Sequence, residues 1–239
     1  MAARMVSQSL LRVVSIAKSL EDLSGDVVFI GGAIAPLLQT HPAIPVIRAT
    51  NDVDAVIAST SYSNFGLVQE RLIALGFKLD LSNAKHANRW RAPDGTPFDL
   101  VSAGAHLGGT GNEWDQIALD SAVETELEAG LRIRHSSATG FLALKWAAFW
   151  DRGAEDPFSS HDLEDILALV ISRDTIVSEF RNSESRIQDH IRLGLEWLTK
   201  SSDYEDLVAA HLNNAQDFRW VAQTLHDRFR EMLEAAPLP

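Results

Sequence analysis

The sequence predicts an α+β protein: an α/β half that builds a sheet with flanking helices, followed by an all-helical C-terminal half. Three observations predict it. Val27-Val28-Phe29-Ile30 is a short, mostly β-branched apolar run that stops at Gly31-Gly32, the pattern of a buried strand. Pro93-Asp94-Gly95 lies between two alternating segments and marks a hairpin. From Ser137 onward, every periodic segment has the helical spacing. The expected domains are therefore 1–135 and 136–239.

In chain order, Val6, Leu10, Val13, Ala17 and Leu20 share one helical face, which predicts a helix over about 4–22. Arg4, Arg12 and Lys18 without an acid also give this segment the look of a transit peptide, but the amphipathic face favours a domain helix. After the strand at 27–30, Ala33 to Gln39 is expected to make one or two helical turns, and His41-Pro42-Ala43-Ile44-Pro45 a loop. Asn51 to Ala58 reads as a strand, Phe65 to Leu75 as a helix and Phe77 to Leu81 as a short strand. His86 to Ala92 and Thr96 to Ala103 are the hairpin arms. Gly104 to Gly111 is a glycine-rich loop without the Gly-Lys-Ser/Thr of a P-loop. Glu113 to Val123 is ambiguous, and Leu131 to Ile133 reads as a last short strand. Helices are expected over about 138–151, 161–172, 184–200 and 204–235.

Composition limits the function. In 239 residues, 46 % apolar and 23 % charged content is enough for a real core. Without cysteine there can be no disulfide, thiolate metal site or cysteine nucleophile, and a reducing, cytoplasmic location is expected. No apolar run approaches the roughly 18–20 residues that span a bilayer, so no membrane partner is expected. The net charge of −12 disfavours a broad nucleic-acid surface. The first 135 residues hold eleven basic and fifteen acidic residues and the rest ten and eighteen, net −4 and −8. None of the eight histidines has the His-x-x-x-His spacing of a zinc site.

The chemistry points to one constellation. Asp52 and Asp54 sit two apart on a strand and therefore share a face, with Val53 and Ala55 turned to the core. Such a pair repels itself unless a cation compensates it, and Mg²⁺ takes carboxylates together with phosphate oxygens. Ordinary strand-end acids on a wet face are the alternative. Gly31-Gly32 would let backbone N–H groups approach a phosphate, though most such pairs only mark a tight turn. Asp99, inside the apolar run Phe98-Asp99-Leu100-Val101, is a third candidate ligand or an edge-strand acid.

In the helical half, Lys145 lies in the apolar stripe of Phe141, Leu142, Ala148 and Phe149, where it must snorkel or meet an anion. Arg152 lies seven residues on, roughly on the same face. Ser159 or Ser160 is expected to cap the next helix, with Asp162 in its first turn. Trp146, Trp150, Trp197 and Trp220 have core spacing more than base-stacking spacing. On the hairpin, Lys85, His86, Arg89 and Arg91, with Trp90 among them, form the best local basic patch.

Gly31, Gly32, Asp52, Asp54 and Asp99 resemble the motif of the DNA polymerase β-like nucleotidyltransferases. More narrowly, Arg48-x-Thr50-x-Asp52-Val53-Asp54, followed by Lys145, Arg152, Asp162 and Asp165, is similar to the AbiEii/AbiGii toxin-like branch. The resemblance spans about residues 25–172. His161 stands where that branch usually has lysine, and 19 residues separate Gly32 from Asp52, a long spacer. The resemblance implies a mixed-sheet nucleotidyltransferase core and transfer of NMP from an NTP to an acceptor hydroxyl. It implies two Mg²⁺ ions, or Mn²⁺, on Asp52, Asp54 and Asp99. It assigns catalysis to these three and Lys145, and nucleotide contacts to Gly31, Gly32, Arg48, Thr50, Lys145, Arg152 and Asp162. It implies RNA, tRNA 3′ ends in particular, as acceptor, and a cognate antitoxin as partner. A protein or small-molecule acceptor, or a nucleotide-binding interaction module without turnover, is the alternative.

Overall fold

The computed structural model describes residues 7–41, 50–58, 62–81, 88–103, 113–212 and 217–235. Arg48, Lys85, His86, the prolines at 42 and 45 and the Gly104 to Gly111 segment lie outside the described residues. The chain divides into two compact units, Met1–Pro36 with Arg48–Ser137, and Leu37–Ile47 with Ala138–Pro239.

Among the described residues, the first unit holds one mixed sheet of seven strands. In chain order these are β1 (Val27–Ile30), β2 (Val53–Ile57), β3 (Lys78–Leu79), β4 (Arg89–Arg91), β5 (Pro97–Ser102), β6 (Val123–Glu128) and β7 (Leu131–His135). Their order across the sheet is β3-β4-β5-β2-β1-β7-β6. The central pairs β2–β5 and β1–β7 are parallel, and β1–β2 is antiparallel. The central strands are the most apolar: Val27, Val28, Phe29, Val53, Ala55, Val56, Phe98 and Leu100 are fully buried. Helix α1 (Gln8–Leu20) presents Val13, Ile16, Ala17 and Leu20 to this core, with Ser7 as its N-cap, and helices α2 (Ala35–Leu38) and α3 (Tyr62–Ala74) follow β1 and β2. Pro93-Asp94-Gly95 turns β4 into β5, with Gly95 at φ +87° and Ala92 N–H donating to the Thr96 carbonyl at 3.0 Å. Trp90 is buried beneath this hairpin.

Several expectations change. The ambiguous stretch, Glu113 to Val123, is helix α4 (Glu113–Asp120) and the first residue of β6, a strand whose Glu124, Glu126 and Glu128 gave no strand signal. Glutamate is a poor strand former. It is tolerated here because β6 is an edge strand, mostly exposed and paired on one side to β7.

The second unit is helical. Helix α5 (Ala138–Ala148) runs into a π turn at Phe149–Gly153, closed by Ala154 N–H donating to the Phe149 carbonyl. Helix α6 (His161–Ser172) is buried on nearly every side and is capped by Ser160. Helix α8 (Ser185–Lys200) packs Gly194 flat on Trp146, where a Cβ would come within 2.3 Å of the indole. A short helix, α7 (Ile176–Arg181), precedes α8 and was not expected. The single helix expected over 204–235 is two, α9 (Tyr204–Leu212) and α10 (Phe218–Glu234). Asp217 explains the second start, since its side chain accepts from Trp220 N–H as an N-cap. Trp220, expected in the core, is 40 % exposed and lies against His41, ring centroids 5.3 Å apart. Among the described residues, no helix is long and apolar enough to cross a membrane.

Candidate active site

The acid cluster forms because of strand register. Antiparallel pairing sets Asp54 of β2 opposite Ile30 of β1, and parallel pairing sets Asp54 beside Asp99 of β5. Val53 and Ala55 are buried on the opposite face, so Asp54 and Asp99 stand together on the more open one. Asp52 precedes β2 by one residue and joins them. Asp52, Asp54 and Asp99 are all half-buried, and one carboxylate oxygen from each lies within 4.8 Å of the others.

Residues around the cluster fix its shape. Gly31 follows β1 with φ +71°, and a Cβ there would meet Asp54 Oδ2 at 2.1 Å. Gly31 is thus required both by its backbone conformation and by the approach of Asp54. Gly32 opens the short helical turns that follow, Gly32–Ile34 and Ala35–Leu38. Thr50, buried, donates its hydroxyl to Asp52 Oδ1 at 2.5 Å. The approach to β2 is held by α1: Arg12 donates to the Thr50 carbonyl at 2.9 Å and to Asn51 Oδ1 at 3.2 Å, and Thr50 N–H donates to Ser9 Oγ.

The sequence reading missed the role of Arg89. On β4 it faces Asp99 directly across the hairpin. Its Nε and Nη2 donate to Asp99 Oδ1 and Oδ2 at 2.7 and 2.6 Å, and Nη2 reaches Asp52 Oδ2 at 3.1 Å. The hydrogen bond to Asp99 raises the Arg89 pKa above its ordinary value, against the cost of partial burial. Arg91, on the same strand face, donates to Asp80 at 2.8 Å. The two arginines expected in an open basic patch are therefore held by carboxylates. The signal was present in the sequence: pairing Ala92 with Thr96 around the turn and counting back places Arg89 against Asp99.

The helical unit contains a second ionic cluster. Lys145 Nζ lies 3.0 Å from Asp162 Oδ1 and 2.6 Å from Asp165 Oδ2, so both candidate carboxylates contact it. Arg152, on the π turn, donates to both oxygens of Asp162, Nε to Oδ2 at 2.8 Å and Nη2 to Oδ1 at 3.0 Å. The aspartate side chains are 5 % and 3 % exposed, Lys145 12 % and Arg152 66 %. Burial works against the Lys145 ammonium, yet Asp165 and Asp162 hold its pKa above the ordinary value. Burial likewise opposes ionisation of Asp162, and Lys145 and Arg152 outweigh it, holding that carboxyl below its usual range. His161 is exposed and 3.3 Å from Glu164.

No protein-family model matches the chain, and no curated protein does. Several solved structures are similar to it, among them these two. An antigenic nucleotidyltransferase-like protein from Paracoccidioides brasiliensis is 22 % identical over 88 % of this chain and 96 % of that one, with a TM-score of 0.49. JHP933 from Helicobacter pylori is 14 % identical over 96 % and 94 %, with a TM-score of 0.45.

Proposed function

We propose that the chain is a metal-dependent nucleotidyltransferase that moves a nucleoside monophosphate from an NTP to an acceptor hydroxyl, with pyrophosphate leaving. The observation that carries this reading is the convergence of Asp52, Asp54 and Asp99 from neighbouring strands beside a glycine that admits no side chain. The donor set fits hard divalent cations: all oxygen, all carboxylate, partly open to solvent. Asp52, Asp54 and Asp99 would hold two Mg²⁺ or Mn²⁺ ions. Bound there, such ions would supply electrostatic stabilisation to the entering and leaving oxygens.

The other roles belong to the chain itself. Gly31 and Gly32 offer backbone N–H groups to the triphosphate. Thr50 keeps Asp52 in place. Asp99 takes the proton of the acceptor hydroxyl. Lys145 and Arg152 are the proposed phosphate contacts of the helical unit, with Asp162 orienting both; Arg48 is a further proposed nucleotide contact. RNA, and tRNA 3′ ends in particular, is the proposed acceptor, with toxin activity and a cognate antitoxin; this finer reading is supported by the Arg48, Thr50, Asp52 and Asp54 pattern. The charge of −12 supports a narrow acceptor groove over a broad basic surface.

Incubation with each labelled NTP, Mg²⁺ and total RNA tests the reading. Label is expected on RNA with the native chain; label that persists with Asp52→Ala would remove the catalytic assignment. Growth arrest on expression supports the toxin reading, and drug resistance a small-molecule acceptor. One observation favours a second reading, a nucleotide-binding module without turnover: Arg89 already neutralises part of the cluster. Calorimetric NTP binding with no pyrophosphate release on any acceptor would select it.

A further inference from the structure

We infer that Arg12 and Ser9 of helix α1 are positioning residues for Asp52: they hold Thr50, and Thr50 sets the Asp52 carboxylate for a divalent cation. This rests on the metal-site reading above. The three carboxylates are placed by two different means. Asp54 and Asp99 lie inside strands, and the register of β1, β2 and β5 brings them side by side. Asp52 stands one residue before β2 begins at Val53. There α1 contributes the placement. Thr50 N–H donates to Ser9 Oγ at 3.3 Å, the Thr50 carbonyl accepts from Arg12 Nη1 at 2.9 Å, and the Thr50 hydroxyl donates to Asp52 Oδ1 at 2.5 Å. Arg12 Nη2 also donates to Asn51 Oδ1 at 3.2 Å, so it grips the residue between Thr50 and Asp52 as well.

The arrangement is that of a support behind a ligand. Ser9 and Arg12 are three residues apart on α1 and therefore share a face. Ser9 is 2 % and Thr50 8 % exposed, so water competes little for their hydrogen bonds. The Thr50 backbone is pinned at both its N–H and its carbonyl, which gives the hydroxyl a fixed origin from which to reach Asp52. Hydrogen-bond partners behind a metal ligand fix its orientation and raise affinity, because the ordering is done before the ion arrives. Lys18 supplies the internal contrast. It lies on the same helix, but its partner is Glu128 at the end of edge strand β6, outside the acid cluster.

Calorimetric titration of the full chain with Mn²⁺ alone, without nucleotide, tests the inference. Thr50→Val and Arg12→Met are each expected to bind Mn²⁺ about tenfold more weakly, the lower end of what partners behind metal ligands contribute. Removing a positive charge near the cluster works the other way on a dication, so weaker binding in Arg12→Met reports lost positioning. The double variant should bind about as Thr50→Val does, because Arg12 acts through the Thr50 hydroxyl. Lys18→Met, which removes the same charge from the same helix, should match the native chain. Equal or tighter Mn²⁺ binding in Arg12→Met overturns the inference while leaving the metal site intact, because the native chain still binds. Losses that multiply in the double variant, or an equal loss in Lys18→Met, overturn it as well. No Mn²⁺ binding by the native chain overturns the inference together with the metal-site reading. Should Arg12→Met fail to fold, Ser9→Ala keeps the helix and removes the acceptor of the Thr50 N–H. Weaker Mn²⁺ binding that Thr50→Val masks is then expected, and native affinity in Ser9→Ala overturns the inference.

Discussion

Two ionic clusters of similar composition sit in the two units, and they solve opposite problems. In the helical unit, Lys145 and Arg152 balance Asp162 and Asp165 two against two; both aspartates are buried and Lys145 is mostly covered. In the α/β unit, three carboxylates converge, Arg89 bridges Asp99 and Asp52, and every one of these side chains is part-exposed. A balanced buried cluster holds structure together, because each charge removed from water finds its counter-charge. A convergence of three carboxylates that water can reach retains an attraction for a cation, and chemistry is possible there. The difference is one of count and exposure rather than residue type.

Substitutions can break this contrast. Asp52→Ala should reduce nucleotidyl transfer by about a thousandfold, the scale of losing a transition-state electrostatic partner, while leaving Tm close to native because it relieves repulsion. Lys145→Met should do the reverse to the fold. Stranding buried Asp165, and leaving Asp162 to Arg152 alone of the pair, should cost about 3–5 kcal/mol, read by denaturant unfolding. Equal Tm losses in the two variants would erase the distinction.

The same cluster sets an acid limit. The folded pKa of Asp162 lies below its unfolded value, so its contribution is complete above the ordinary carboxylate range. It should disappear as pH falls through that range toward the folded value. Stability against pH should therefore drop on the acid side, and Asp162→Asn should flatten that drop.

Gly31→Ala should have an intermediate effect. A Cβ at 2.1 Å from Asp54 Oδ2, on a backbone at φ +71°, is expected to cost about 1–3 kcal/mol. It should also weaken Mn²⁺ binding by displacing Asp54. The smallest effect is expected of Arg91→Ala, about 1 kcal/mol, since Arg91 is itself half-exposed even though its partner Asp80 is mostly covered. A large loss there would mean that the hairpin is held by Arg91 rather than by Trp90 in the core.

Much of this contrast was legible in the sequence where burial is one-sided or complete. Val27–Ile30 and Phe98 stand out because a central strand buried on both faces leaves a continuous apolar run. Asp52 and Asp54 stand out because acids are rare beside such runs. The edge strand Val123–Glu128 was invisible for the opposite reason: its register comes from β7, and its own residues are mostly exposed. The break at Asp217 was hidden because an N-cap inside a periodic stretch still fits helical spacing on both sides. The hairpin register already sets Arg89 against Asp99, but Arg89 was read as part of a basic patch because the step from Asp99 to Asp54 depends on the β2–β5 pairing, which local pattern does not report.

The central claim is that the accessible carboxylate cluster performs nucleotidyl transfer, and the most direct test compares two positions of one label. The full chain is incubated with Mg²⁺, RNA and either α-labelled or γ-labelled NTP. The account predicts label on the acceptor from the α position, label in pyrophosphate from the γ position, and neither with Asp52→Ala. Transfer of the γ label to the acceptor, or α-label transfer that survives Asp52→Ala, would contradict it.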